Sequence, residues 1–510
     1  MVWIVPGVLA LLLIASGAAW LSGFLSVSEG KILLIWMVLW GAMVEAMLII
    51  PFPQGGLYRL YVIIPFAEWL AKQIPGAGCT SAEDWIILLH TISVMVRVRK
   101  WPLPKVINIP LVLFLLYSFF ESFNPYIPHP LVVYYGIRAG VLPFLMFYVG
   151  FYVFEHEREM RPMFWWIITI GFFCCLWAYK QEFIGLDTME FIWAGGNKAA
   201  HGLSNDPSAS TFYVNGMLRA FGPWPDPWSF AEFLVTLTML AITMLFTARS
   251  TRGKLWAAFV ILNYLFTIYL TQVKTEILGL SAAIVILTYA RLPRRFRNAW
   301  ACLVGAGFLA IILVMYGNSL PLNPPQWQVS QWLDSVNPLV DPSFLARASK
   351  WERFMRAIGV APFGWGIGIT TPFSNSAGYI TAVTDSQWIT YLTELGWPSI
   401  PMYLWLATGA FILAIRAARR VHTPFSNWFI PAMIAAYASL LIHFVFSPIG
   451  GAPGTTYFWF LFGAACGYPY YRRDELPDPE RRPLIPPLRL RPVVAPGEAS
   501  PSRPALPSGA

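Results

Sequence analysis

The sequence predicts an all-α, polytopic membrane helix bundle of about 12–14 transmembrane helices, with one large, partly helical extracytoplasmic loop. Three observations predict it. Hydrophobic residues fill 57% of the 510 positions and charged residues only 12%, well below the roughly 25% charged residues of a soluble domain. Apolar runs close to the ~20 residues that a membrane-crossing helix needs recur along the chain. Lys and Arg collect in short connections between those runs, as the positive-inside rule requires of cytoplasmic loops.

Taken in order, the runs are 2–22, 31–51, 57–73, 83–98, 106–123, 134–154, 163–183, 228–248, 255–272, 275–292, 299–316, 387–415, 427–447 and 455–470. The first lacks the basic segment that precedes the apolar part of a cleaved signal peptide, so it reads as a retained span. The third and fourth are short enough to be tilted, interfacial or re-entrant. The abundant aromatics, 24 Trp, 22 Tyr and 37 Phe, suit belts at two membrane interfaces.

Charge then orients the spans. Basic clusters lie at Arg97, Arg99, Lys100 and Lys105; at Arg249, Arg252 and Lys254; at Arg291, Arg294, Arg295 and Arg297; at Arg416, Arg419 and Arg420; and at Arg472 and Arg473. Placing all five in the cytoplasm demands an even number of crossings between neighbouring clusters, and the spans satisfy this each time. Both termini are then expected in the cytoplasm. The organisation reads as N-terminal transmembrane helices (1–100), a transmembrane core with a medium outer loop at 185–227 (101–317), a large extracytoplasmic loop (318–385), C-terminal transmembrane helices (386–472) and a disordered, Pro-rich cytoplasmic tail (473–510).

Several function classes lose support. The net charge of +9 follows from the loop bias, so nucleic acid is not an expected partner. The five Cys include no CxxC pair, and the six His are scattered, so neither a disulfide framework nor a metal is expected. No Walker sequence is present to drive transport with ATP, and no cofactor site is expected.

The informative residues are cations on the outer side. Arg138 lies near the outer end of span 134–154, Arg219 ahead of span 228–248, and Lys274 in a tight outer turn. Arg347, Lys350, Arg353 and Arg356 lie in the long loop. Each has a structural alternative: Arg138 can snorkel to headgroups, Arg219 can pair with Asp226 or Glu232, and Lys274 can pair with Glu276. Together, a shared anionic ligand accounts for them better. Arg suits phosphate because its planar fork donates two parallel hydrogen bonds.

In the long loop, Asp341-Pro342 reads as an N-cap followed by a first-turn proline. In the helix that follows, Arg347, Lys350, Trp351 and Phe354 fall at i, i+3, i+4 and i+7, on one face. Two cations beside two aromatics suit a site where phosphate and sugar meet; a helix lying on the membrane surface is the alternative. Gly364, Gly366 and Gly368 then allow unusual backbone angles or close approach. Asp385, at the next span, reads either as a helix cap or as a general base.

This order of motifs resembles the bacterial O-antigen ligase and O-antigen polymerase superfamily. The family's Arg-Ala-x-Gly-x-x-x-x-Pro segment has its likeness in Arg219-Ala220-Phe221-Gly222 through Pro227. A family Ser-Arg turn corresponds to Val273-Lys274-Thr275, with Lys in place of Arg. The large-loop Arg, Trp and Gly-x-Gly correspond to Arg347, Trp351, Gly364, Gly366 and Gly368. The His-Asn or Asp-Asn motif with Leu, Glu and Gly is similar to Asp385, Ser386, Leu392, Glu394 and Gly396. Asp at 385 resembles the polymerase branch more than the ligases, which carry His there.

The resemblance implies a glycosyl transfer without metal or cofactor at the outer face of the bacterial inner (cytoplasmic) membrane. The donor is a polyprenyl-pyrophosphate-linked oligosaccharide, and a flippase and a chain-length regulator are the implied partners. Arg219, Lys274, Arg347, Lys350 and Arg138 would hold the pyrophosphate. Asp385 would act on the acceptor hydroxyl beside the catalytic Arg219 and Arg347, and Trp351 would stack on a sugar. A ligase to lipid A core or protein, a lipid-linked oligosaccharide flippase or other transporter, and a structural subunit of a secretion complex are the alternatives.

Overall fold

The computed structural model describes residues 53–73, 81–97, 104–154, 156–196, 212–214, 217–317, 342–371, 374, 384, 386–447 and 453–471. The first two spans, Asp341, Asp385 and the tail lie outside the described residues. Within them the chain is an all-α polytopic bundle. Six helices are long and apolar enough to cross a membrane: Pro130–Tyr152, Glu157–Ile184, Pro227–Thr247, Thr251–Thr271, Ser399–Arg420 and Ser426–Phe446.

In chain order the helices begin with α1 (Pro53–Gln73), α2 (Ser81–Arg97), α3 (Lys105–Glu121), α4 (Pro130–Gly140), α5 (Leu142–Tyr152), α6 (Glu157–Tyr179) and the short α7 (Thr188–Phe191). They continue with α8 (Pro227–Thr247), α9 (Thr251–Thr271), α10 (Lys274–Arg291), α11 (Arg294–Gly317) and the loop helix α12 (Pro342–Val360). The last are α13 (Gln387–Leu395), α14 (Ser399–Arg420), α15 (Ser426–Phe446) and α16 (Pro453–Tyr471). One two-residue antiparallel pair, Tyr213–Val214 with Met217–Leu218, lies in the medium loop.

Two expected spans are broken. The run at 134–154 begins earlier, where Pro130 opens α4 and the His129 ring accepts the Leu131 amide as cap. It then breaks at Val141, because Pro143 has no amide to continue the ladder. The run at 387–415 divides at Gly396, which takes a left-handed φ of 67°, and at Pro398. A short α13 therefore precedes the long α14.

The core centres on α5. All eleven of its residues are buried, as expected of a helix that is apolar on every side. It packs against α16, where Gly150 faces the Phe460 carbonyl and Gly463 faces the Phe147 carbonyl, too close for any side chain. Small residues of this kind let helix backbones approach in a membrane. On α9, Leu255, Phe259, Leu262, Phe266 and Tyr269 are exposed at spacings of three and four. That unbroken apolar stripe belongs against lipid.

Contacts tie together the helix ends. At one end the Arg161 guanidinium donates to the Thr247 carbonyl (3.0 Å), Arg291 donates to the Asn427 carbonyl (3.1 Å), and Thr423 meets Tyr468. The described basic clusters flank this end. At the other, the medium loop, the tight turn at 272–274, α12 and α13 come together, and the site is built there.

Candidate functional site

The medium loop delivers Arg219. Its amide bonds to the Phe212 carbonyl (2.8 Å) across the small β pair, and the Ala220 amide bonds to the Leu270 carbonyl (3.2 Å) at the end of α9. The guanidinium lies over the Trp228 ring, 5.5 Å from its centre. The carboxylates offered as alternative partners are turned elsewhere. Asp226 caps α8 through the Ser229 amide (2.8 Å) and hydroxyl (2.6 Å). Glu232 is buried against Gly454 and Thr236.

The long loop delivers Arg347. On α12 the residues 347, 350, 351, 354 and 357 are half-buried and 358 is buried, whereas 349, 352, 353, 355 and 356 are exposed. The face expected from spacing, with Arg347, Lys350, Trp351 and Phe354, is thus the one turned inward. Arg353 points out, and Arg356 is occupied by Glu352 at 2.6 Å. Arg219 and Arg347 are close enough to repel: burial first, and then the Arg347 charge, hold the Arg219 guanidinium down at about 10.

Lys274 stands at the first position of α10, exposed, next to Gln272 with its left-handed φ of 50°. A cation there opposes the helix dipole. Its expected structural partner, Glu276, is instead buried against the His443 ring of α15. Arg138 lies apart from Arg219 in kind. Its guanidinium meets Glu68 (3.3 Å) and Asp84 (3.2 Å), and Asp84 also accepts the Tyr134 hydroxyl (2.6 Å). It does not snorkel; it is clasped by carboxylates from α1 and α2.

The glycine segment that follows α12 is a backbone seam. Gly364, Gly366 and Gly368 have φ of 102°, 100° and 87°, and each is pressed against another segment. Gly364 abuts the Glu394 carbonyl, Gly366 abuts Ile127, and Gly368 meets Val132 and Gly136 of α4. The Trp365 amide donates to the Thr393 carbonyl (2.9 Å) and the Gly366 amide to the Glu394 carbonyl (3.0 Å). The Glu394 carboxylate accepts the Thr370 amide (3.1 Å) and hydroxyl (2.6 Å), bracing the same seam. Both expected uses of these glycines, unusual angles and close approach, occur together. Ser386, next to the undescribed Asp385, precedes α13 and donates to the Phe444 carbonyl (3.2 Å).

Sequence reasoning missed Lys72 and Lys180. Both stand at loop-end termini of apolar runs, so the criterion that singled out Arg138 applies to them. Lys180 pairs with Glu190 (2.6 Å), and Lys72 is almost fully buried. Among the described residues no three His, Cys, Asp or Glu side chains gather as a metal site would. No protein-family model matches this chain, and no curated protein matches it either.

Proposed function

We propose that the chain is a membrane-embedded glycosyltransferase, a polysaccharide polymerase that uses a polyprenyl-pyrophosphate-linked donor at the outer face of the bacterial cytoplasmic membrane. One observation carries the reading. Arg219 and Arg347, from loops far apart in sequence, come near enough at one end of the bundle that the Arg347 charge, after burial, helps to lower the Arg219 guanidinium from its ordinary value. Two neighbouring cations on the loop side of a bundle suit an anionic ligand. The loop end is opposite the basic clusters, which supports its placement outside.

In this reading an acceptor sugar hydroxyl attacks the anomeric carbon of the donor. The new glycosidic bond forms as the bond to the pyrophosphate oxygen breaks, and the lipid pyrophosphate leaves with the bonding pair. Arg219 and Arg347 meet the charge that develops on it, which is where preorganised cations contribute most. Lys350, one turn along the same face, and Lys274, at the neighbouring turn, extend the anion site. Trp351 offers a ring for a sugar. Asp385 is the residue we assign to take the hydroxyl proton.

The test is the glycolipid pool of a strain lacking the gene, complemented with Arg219→Ala, Arg347→Ala or Asp385→Ala. Single repeat units on the lipid carrier are expected from each. Full-length chains on the carrier would make the protein a ligase. Normal polymer from all three variants would overturn the enzyme reading.

A further inference from the structure

Lys72 ends α1 at 1% exposure. A buried ammonium at a membrane-embedded helix end is costly unless something compensates it. Four carboxylates, Glu68, Glu190, Asp226 and Asp187, act on it through space, and its direct contacts are to the medium loop. The ammonium donates to the Gly222 carbonyl at 3.2 Å and lies 4.4 Å from the centre of the Phe221 ring. Gln181, also 1% exposed, grips the same two residues from the other side. Its amide oxygen accepts the Phe221 amide (3.0 Å) and the Gly222 amide (2.8 Å), and its amide nitrogen donates to the Gly222 carbonyl (2.9 Å).

Gln181 is itself held. Its nitrogen also donates to Glu190 (2.9 Å), a fully buried carboxylate that accepts from the Trp177 ring (2.6 Å) and from Lys180 (2.6 Å). Glu190 in turn forms a capping box with Asp187 at the start of α7. The gripped residue is unusual as well. Gly222 has a left-handed φ of 54°, and a side chain there would meet the Phe230 ring. A Gly222 carbonyl that receives two buried donors is fixed more firmly than an ordinary loop carbonyl.

We infer that Lys72 and Gln181 are positioning residues: they clamp the backbone of Phe221 and Gly222 and so aim Arg219, two residues away, towards Arg347. The inference rests on the anion-site reading above. It assigns the clamp residues no contact with substrate.

The test uses the full-length protein in lipid nanodiscs, with inorganic pyrophosphate as the probe. Hydrogen exchange of the peptides spanning 219–222 is expected to rise about tenfold or more in Lys72→Met and in Gln181→Leu, while exchange of α5 and α16 stays unchanged. Pyrophosphate binding is expected to weaken about tenfold in Lys72→Met, and to lose nothing further when Lys72→Met is added to Arg219→Ala. Unchanged exchange at 219–222 would overturn the clamp, as would additive losses in the double variant, which mark a general structural role. If Lys72→Met does not accumulate in the membrane, Gln181→Asn, which shortens the clamp by one methylene, takes its place. A wild-type protein that binds no pyrophosphate would sink the polymerase reading, and the exchange measurement would still decide the clamp.

Discussion

Arg138 and Arg219 are the same residue type at the same end of the bundle, and their surroundings differ completely. Arg138 is enclosed by Glu68 and Asp84 from two neighbouring helices. Arg219 lies over the Trp228 ring and feels the charge of Arg347. A cation met by carboxylates is complete within the protein, and removing a partner harms the fold. A cation near a second cation is the kind that the proposed function assigns to an anion. Misplaced positive charge in a sequence flags both kinds; only the neighbours tell them apart.

The comparison can be broken or sharpened by experiment. The largest effects are expected in turnover. Arg219→Ala and Arg347→Ala should each lower polymer formation about 10²–10³-fold, in a membrane assay with lipid-linked donor, at unchanged protein level. Next comes stability. Asp84→Ala leaves buried Arg138 with one carboxylate fewer, and should cost about 3–5 kcal/mol, read as loss of folded protein in detergent. A loss as large from Arg219→Ala would erase the distinction between the two arginines.

A smaller effect separates the sites by ligand. Pyrophosphate should raise the melting temperature of the wild type and of Lys350→Arg, and leave that of Arg347→Ala unmoved. Without ligand, Arg347→Ala should melt slightly higher than the wild type, by at most about 1 kcal/mol, because it removes a repulsion. The last expectation concerns pH. Burial and Arg347 lower the value for Arg219 to about 10, so Arg219 is charged at neutral pH and loses its proton earlier than an ordinary arginine. Pyrophosphate affinity should be full near pH 7 and fall as pH rises through about 10; in Arg347→Ala the residual affinity should fall at higher pH. A titration of binding from about pH 7 to about pH 11 measures it.

Much of this was legible in the sequence, for local reasons. Helix positions follow from apolar runs, and the inward face of α12 follows from the spacing of Arg347, Lys350, Trp351 and Phe354. The alternate glycines announced unusual backbone angles or close approach, and their φ of 102°, 100° and 87° show the former. What stayed hidden depends on partners far along the chain. Nothing near Glu276 indicates that His443 is its partner, and nothing near Lys72 points to Gly222. The division at Gly396 was masked because Trp397 and Pro398 interrupt an otherwise apolar run only briefly. The Val141 break was missed for a like reason, since Leu142 and Pro143 leave the hydropathy high.

The glycine seam has a mechanical consequence. It fastens the C-terminal part of the long loop to α4 and α13, backbone against backbone. The end of α12, which enters the seam at Ala361, is held to it as well: the Trp365 indole donates to the Ala357 carbonyl (3.2 Å), and Ile358 is buried. At 1.5 Å per residue, Arg347 stands about 21 Å along the helix from that junction. The placement of the α12 cations is therefore referred to the point where the seam begins.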